Sequence, residues 1–170
     1  HGAVLGTVFN ASIKTDEVLP WDKYKARVFS AGPFLDLIIS RMILGNLLLY
    51  VRAFPEKFES GLGLDMGSVI GKRLFEFLKP EPGWGPSNHC FDYSSFDTSN
   101  SASVSSFADE GFLFMLKAFG MTEKSLRAAN SILTGWSYPR YNHAGDLLHC
   151  AASNPSGNLF TTIKNGAHNS

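Results

Sequence analysis

Cysteine is scarce in this chain: Cys90 and Cys150 are the only two, and neither belongs to a C-x-x-C pair. Nothing in that composition suggests a disulfide-stapled secreted scaffold, and we expect reduced thiols in a cytoplasmic chain. Net charge is absent as well, because 15 Lys and Arg balance 15 Asp and Glu. No global field draws in a polyanion, so any nucleic-acid binding must rest on a local basic cluster. The N-terminus, His1-Gly2-Ala3-Val4-Leu5-Gly6, lacks the basic region and apolar stretch of a signal peptide. It also lacks an initiating Met, and we expect the chain to begin within a longer protein. Residues 34–51 are the most apolar stretch, yet they contain Asp36, Arg41 and Asn46. They are too short to span a bilayer comfortably, so the expectation is a buried helix and no intrinsic membrane span. There is no internal repeat and no linker-like composition, and nothing divides the 170 residues into two domains.

What is present is a core. With 44% hydrophobic and 13% aromatic residues, the chain escapes the low-hydrophobicity, high-charge regime of disorder. Residues 24–30 alternate as a strand that places Lys25, Arg27 and Phe29 on one face. Gly32-Pro33 then opens a helix carrying Leu35, Ile38, Ile39, Met42, Ile43 and Leu47, with Pro55 just beyond its end. A shorter helix is expected over residues 68–79, closed by Pro80, before a Pro- and Gly-rich loop at 81–86. His89-Cys90-Phe91-Asp92-Tyr93 reads as a short buried strand. Val104, Phe107, Ala108, Gly111, Phe112, Met115 and Phe119 recur at helical spacing, with Gly120 as a left-handed stop. Thr122 caps the next helix, to about Leu133. Residues 138–141 and 147–150 read as a hairpin, and Asn154-Pro155-Ser156-Gly157-Asn158 as a loop feeding a last helix.

Three constellations could carry chemistry. Asp92 stands at a strand end, with Asp97 five residues later. A carboxylate so placed suits a hard divalent cation in phosphoryl transfer, although a strand terminator and a helix cap would look alike. On a helix, Thr161 and Asn165 present a hydroxyl and an amide on the same face, a pairing suited to sugar hydroxyls or to an ordinary polar surface. Ser156-Gly157 ahead of them supplies backbone freedom and exposed N–H groups. Lys25 and Arg27, with Lys14 upstream, form the local positive patch that a neutral chain would need, or a solvated strand face.

The chain order Lys-x-Asp-Glu, Lys-x-Arg, Asp-x4-Asp, Ser-Gly-x3-Thr-x3-Asn resembles the RNA-dependent RNA polymerases of picornavirus-like positive-strand RNA viruses. In that family's terms, residues 14–30 resemble fingers motif F, residues 92–97 palm motif A and residues 156–165 palm motif B. Gly61-Leu62-Gly63-Leu64-Asp65 resembles the stretch between F and A. The resemblance implies an α+β fold, a fingers and palm fragment of a right-hand polymerase with several helices and a few short antiparallel strands. It implies that residues 1–87 are mainly fingers and palm-connecting helices. Residues 88–170 would then hold palm motifs A and B with an inserted fingers part. It implies an RNA-directed nucleotidyltransferase that uses Mg²⁺ or Mn²⁺. RNA template and primer, ribonucleoside triphosphates and the rest of the polymerase chain would be its partners. The setting would be the host cytoplasm, at membrane-associated replication complexes. Asp92 would hold metal. Asp97, Thr161 and Asn165 would sense the ribose 2′-hydroxyl, which alone distinguishes an RNA precursor. Ser156 and Gly157 would lie near the template and nascent pair. Lys25 and Arg27, and Lys14 beside them, would hold the triphosphate.

One departure follows. The family's motif C, a Gly-Asp-Asp hairpin with the second metal aspartate, does not occur, since Gly145-Asp146 continues with Leu147 and precedes motif B. Motif C and the thumb are therefore expected elsewhere, and this polypeptide is expected to be inactive alone. Other readings fit less well. Gly67 to Lys72 is one residue short of a P-loop, and Arg73 stands where a Ser or Thr would meet Mg²⁺. Ser156 is not set in Gly-x-Ser-x-Gly. His89-Cys90 and His149-Cys150 point to opposite strand faces and suit a zinc ion poorly. The remaining alternatives are a reverse transcriptase-like palm enzyme, against which Asp97 argues, and a non-catalytic RNA-binding or scaffold fragment.

Overall fold

The computed structural model describes residues 6–14, 28–58, 60–63, 65, 67–79, 101–151 and 153–169. The expected strand at 89–93 lies outside them, as do Lys25, Arg27, Asp92 and Asp97.

Among the described residues, five helices accompany one four-stranded sheet, a mixed α+β arrangement in agreement with the sequence reading. The strands are β1 (Val8–Ile13), β2 (Val28–Ala31), β3 (Arg140–His143) and β4 (Asp146–His149). Their order is β2-β1-β3-β4. Antiparallel pairing joins β1 to β2 and β3 to β4, but β1 runs parallel to β3, with Val8 beside Arg140. That one parallel pair departs from the all-antiparallel expectation. It follows from topology: more than a hundred residues, including most of the helices, intervene between β1 and β3, and a long crossover permits parallel pairing where a tight turn does not.

Helix α1 (Phe34–Ala53) starts after Pro33 as the Gly-Pro signal implies. Its buried stripe is Ser40, Leu44, Leu47 and Val51, at the 4-3-4 spacing of one helix face, and it packs on α4. The expectation of a buried helix needs correction. Met42 is 80% exposed and Leu49 62%, with Phe34, Leu35 and Ile38 exposed as well. The helix is apolar nearly all round, so periodicity alone does not identify the stripe that meets the core. Its 20 residues also satisfy the length and apolar content of a bilayer crossing, contrary to the expectation that the stretch is too short.

Helix α2 (Val69–Phe77) is capped by Ser68, whose Oγ accepts from the Gly71 N–H at 3.1 Å. Residues 69–71 are thus already helical, and no phosphate-cradling loop forms there. Helix α3 (Ala102–Ala118) is capped by Ser101 and ends before Gly120, whose φ is +80°. Helix α4 (Glu123–Ser137) is capped by Thr122 as expected, but it runs four residues past Leu133. The extension ends at Tyr138 ahead of Pro139, which cannot continue it. In the β3–β4 hairpin Ala144 and Gly145 both take positive φ, the geometry of a tight two-residue turn. Helix α5 (Thr161–Asn169) closes the chain.

The core lies where these helices meet. Leu44, Leu47 and Val51 of α1, Phe112 and Leu116 of α3, and Ile132, Leu133 and Trp136 of α4 form one buried cluster with Phe160 at the start of α5. Phe160 is fully buried, edge-on to Phe112 at 5.8 Å and 6.0 Å from Trp136. This packing fixes the entry point of α5.

Candidate functional site

The segment from Ser153 to Asn165 is organised by two asparagines. Asn154 is 1% exposed. Its Nδ2 donates to the Thr161 carbonyl at 3.1 Å and to the Asn165 Oδ1 at 2.5 Å, while its Oδ1 accepts from Asn158 Nδ2 at 2.8 Å. Asn158 in turn donates to the Pro155 carbonyl at 2.9 Å and accepts from the Phe160 N–H at 2.8 Å. Because Asn154 holds the oxygen of the Asn165 carboxamide, the NH₂ end of that group is directed away from Asn154. The Thr161 hydroxyl donates to the Pro155 carbonyl at 2.7 Å, with the Asn158 carbonyl at 3.1 Å. Its one proton is spent locally, so toward a further group its oxygen is an acceptor. Thr161 and Asn165, one turn apart, are therefore both locked from below by the loop that precedes them.

The loop tip meets β2. Ser156 Oγ accepts from the Ser30 N–H at 3.0 Å. Gly157 passes so close that a Cβ there would lie 2.0 Å from the Ser30 carbonyl oxygen. Its φ is not positive, so glycine is required here for clearance rather than for backbone conformation. The sequence expectation of backbone freedom is thereby sharpened into a close approach. Strand β2 is the direct continuation of Lys25-Ala26-Arg27. At the other end of the pairing, Ile13 sits opposite Val28, so Lys14 leaves β1 where residues 15–27 begin. Lys14, just past the end of β1, stands three residues beyond Ala11, the partner of Ser30, about 10 Å at strand rise. A cleft of about 500 Å³ opens beside this junction, lined by Val28, Ser30, Tyr141, Cys150, Asn154 and Ser156.

Of the sequence-derived residues, Ser156, Gly157, Thr161 and Asn165 thus come together, with Lys14 just past the end of β1. Lys25, Arg27, Asp92 and Asp97 lie outside the described residues. No group of three His, Cys, Asp or Glu assembles among the described residues. They supply no metal-holding set.

Sequence reasoning missed the group beneath the site. Lys164 is fully buried. Its Nζ lies 2.8 Å from Asp109 Oδ1 and donates to Ser137 Oγ at 2.5 Å, and that hydroxyl donates to Asp109 Oδ2 at 2.6 Å. Burial pushes the Asp109 carboxyl above its ordinary range, against the pull of Lys164. Burial likewise pushes the Lys164 ammonium down, against the pull of Asp109. A signal existed in both helices. Asp109 falls on the Ser105, Phe112, Leu116 stripe of α3, and Lys164 is one turn from Phe160 and three residues before Ala167. Each charge occupies a core position of its own helical period.

With this geometry in place, the class is defined: residues 9–169 match the family model of viral RNA-dependent RNA polymerase, and the chain belongs to that family. Its relatives are picornaviral. The genome polyprotein of Theiler's murine encephalomyelitis virus (strain DA) is 31% identical over 113 residues, covering 59% of this chain and 4% of the polyprotein. That of encephalomyocarditis virus (strain emc-b nondiabetogenic) is 28% identical over 162 residues, covering 87% and 6%. The chain thus matches 4% and 6% of the length of these relatives.

Proposed function

We propose that this chain is the motif F, A and B portion of a polymerase that copies an RNA template from ribonucleoside triphosphates. The primer 3′-hydroxyl would attack the α-phosphorus, and pyrophosphate would leave. The observation that carries the reading is the junction of the Ser156-Gly157 loop with β2. It joins β2, which follows Arg27 in the chain, to the loop that holds Thr161 and Asn165, beside a cleft lined by Ser30, Asn154 and Ser156.

In this reading Lys25, Arg27 and Lys14 grip the triphosphate, where the fork of an arginine suits bidentate phosphate contact. Thr161 and Asn165, with Asp97, engage the ribose 2′-hydroxyl. The Thr161 oxygen, its proton already donated to Pro155, accepts, and the Asn165 NH₂ donates. Ser156 and Gly157 border the template and nascent pair. Asp92 supplies a hard oxygen ligand for Mg²⁺ or Mn²⁺, a cation that would neutralise charge on the transferring phosphate. Residues 1–87 are mainly fingers and palm-connecting helices in this scheme, and 88–170 palm with an inserted fingers part. The second metal carboxylate comes from polymerase sequence beyond these 170 residues, together with the thumb. The work would take place in the host cytoplasm, at membrane-associated replication complexes.

Primer extension by a full-length polymerase carrying this sequence tests the reading. Asp92→Asn should abolish incorporation while leaving the thermal unfolding curve in place, and the 170-residue chain alone should extend nothing. Retained activity in the Asp92 variant removes the metal role. Extension of deoxynucleotides as readily as ribonucleotides would favour a reverse transcriptase-like enzyme, and extension of neither a binding module.

A further inference from the structure

We infer that Lys164, held by Asp109 and Ser137, is a positioning residue that sets the roll of α5 and thereby the nucleotide sugar that the polymerase accepts. The inference rests on the reading of Thr161 and Asn165 as ribose-sensing groups. Lys164 is the immediate neighbour of Asn165 and lies three residues after Thr161, on the adjoining side of the same helix, buried where Thr161 and Asn165 are half-buried. Its ammonium, the Asp109 carboxylate and the Ser137 hydroxyl form a closed ring of contacts of 2.8, 2.5 and 2.6 Å, one member from each of α5, α3 and α4.

Apolar packing alone is non-directional and tolerates small rotations of a helix on its neighbours. A ring of two short hydrogen bonds closed by an ion pair does not, because the hydrogen bonds fail within a few tenths of an ångström. The consequence at the outer face is geometric. With side-chain tips about 6 Å from the helix axis, a roll of about 20° displaces them by roughly 2 Å, enough to break a hydrogen bond to a hydroxyl. The loop network of Asn154 and Asn158 holds α5 at Thr161 and Asn165. Lys164 holds the adjoining side of the helix to Asp109 and Ser137. A buried ion pair is a poor source of stability compared with apolar residues of similar volume, which leaves orientation as what it contributes here.

The test uses the full-length polymerase and compares kcat/KM for ribo- and deoxynucleotides. The double variant Lys164→Met/Asp109→Leu replaces the pair by apolar side chains of similar size and should remain folded. Its ribo-to-deoxy preference should fall about tenfold, the loss of roughly one hydrogen bond, mainly through a raised KM for the ribonucleotide. Ser137→Ala, which opens the ring but keeps both charges, should lower the preference in the same direction by a smaller factor. An unchanged preference in both variants, or an equal loss of rate with both sugars, overturns the inference. Should the double variant not fold, Ser137→Ala decides by the same criterion. A parent enzyme that fails to extend, or does not discriminate, sinks the functional reading itself. A discriminating parent with indifferent variants sinks only the role of Lys164.

Discussion

Among the described residues, Lys164 and Asp109 are the charged groups that the interior buries, and burial works against both. The raised Asp109 carboxyl binds its proton more tightly in the folded chain than in the unfolded one. Its contribution to stability is therefore full below the ordinary value of 3.8 and declines as pH rises through the raised value. The lowered Lys164 ammonium acts in the other sense, with stability increasing as pH rises from the lowered value toward 10.5. Urea midpoints measured across pH should show both slopes in the parent, and both should flatten in Lys164→Met/Asp109→Leu. Lys164→Met alone should cost about 3–5 kcal/mol at neutral pH, because it leaves a buried carboxylate uncompensated. The proposed outer site is read residue by residue, from the spacing of Ser156, Gly157, Thr161 and Asn165 in the sequence. The buried ring escapes that search. A lysine beside a polar stretch reads as solvated, and only the apolar neighbours at one-turn spacing reveal that it faces inward.

The helices show where local rules suffice and where they stop. Ser68 and Thr122 cap α2 and α4 through their own side chains, and Gly120 ends α3 in the left-handed region. These are short-range effects that the sequence states directly. Helix α1 is different, because Leu, Ile and Met on nearly every side remove the contrast from which a buried face is read. The stripe that contacts α4 is settled by tertiary packing alone. Truncating Leu47, fully buried, to Ala should cost about 2–5 kcal/mol. Met42→Lys, on the exposed side of the same helix, should change stability by less than about 0.5 kcal/mol. Chemical denaturation of the two variants side by side would check the assignment. Comparable losses would place Met42 in the core instead.

For the molecule as a whole, balanced charge has a measurable outcome. With Lys14, Lys25 and Arg27 as the proposed cationic contacts, single-stranded RNA binding by this portion should depend only mildly on salt. Three phosphates neutralised give a slope of about −2 in log affinity against log salt concentration. Filter binding or fluorescence anisotropy across a salt series would read it. A much steeper slope would mean that a larger basic surface takes part. The parallel pairing of β1 with β3 also belongs to this scale. It joins segments more than a hundred residues apart, and no local pattern in either strand announces it.

That pairing shares the sheet with β2, and β2 meets the loop before α5 at Gly157 with no clearance at all. Two segments in such contact cannot slide past one another, so displacement of either is transmitted to its neighbour. The strand leading from Lys25 and Arg27 and the loop before Thr161 are geared together at a point 126 residues apart in the chain. Under the proposed roles, a shift begun at the phosphate end of a nucleotide would be felt at the sugar end without passing through the nucleotide.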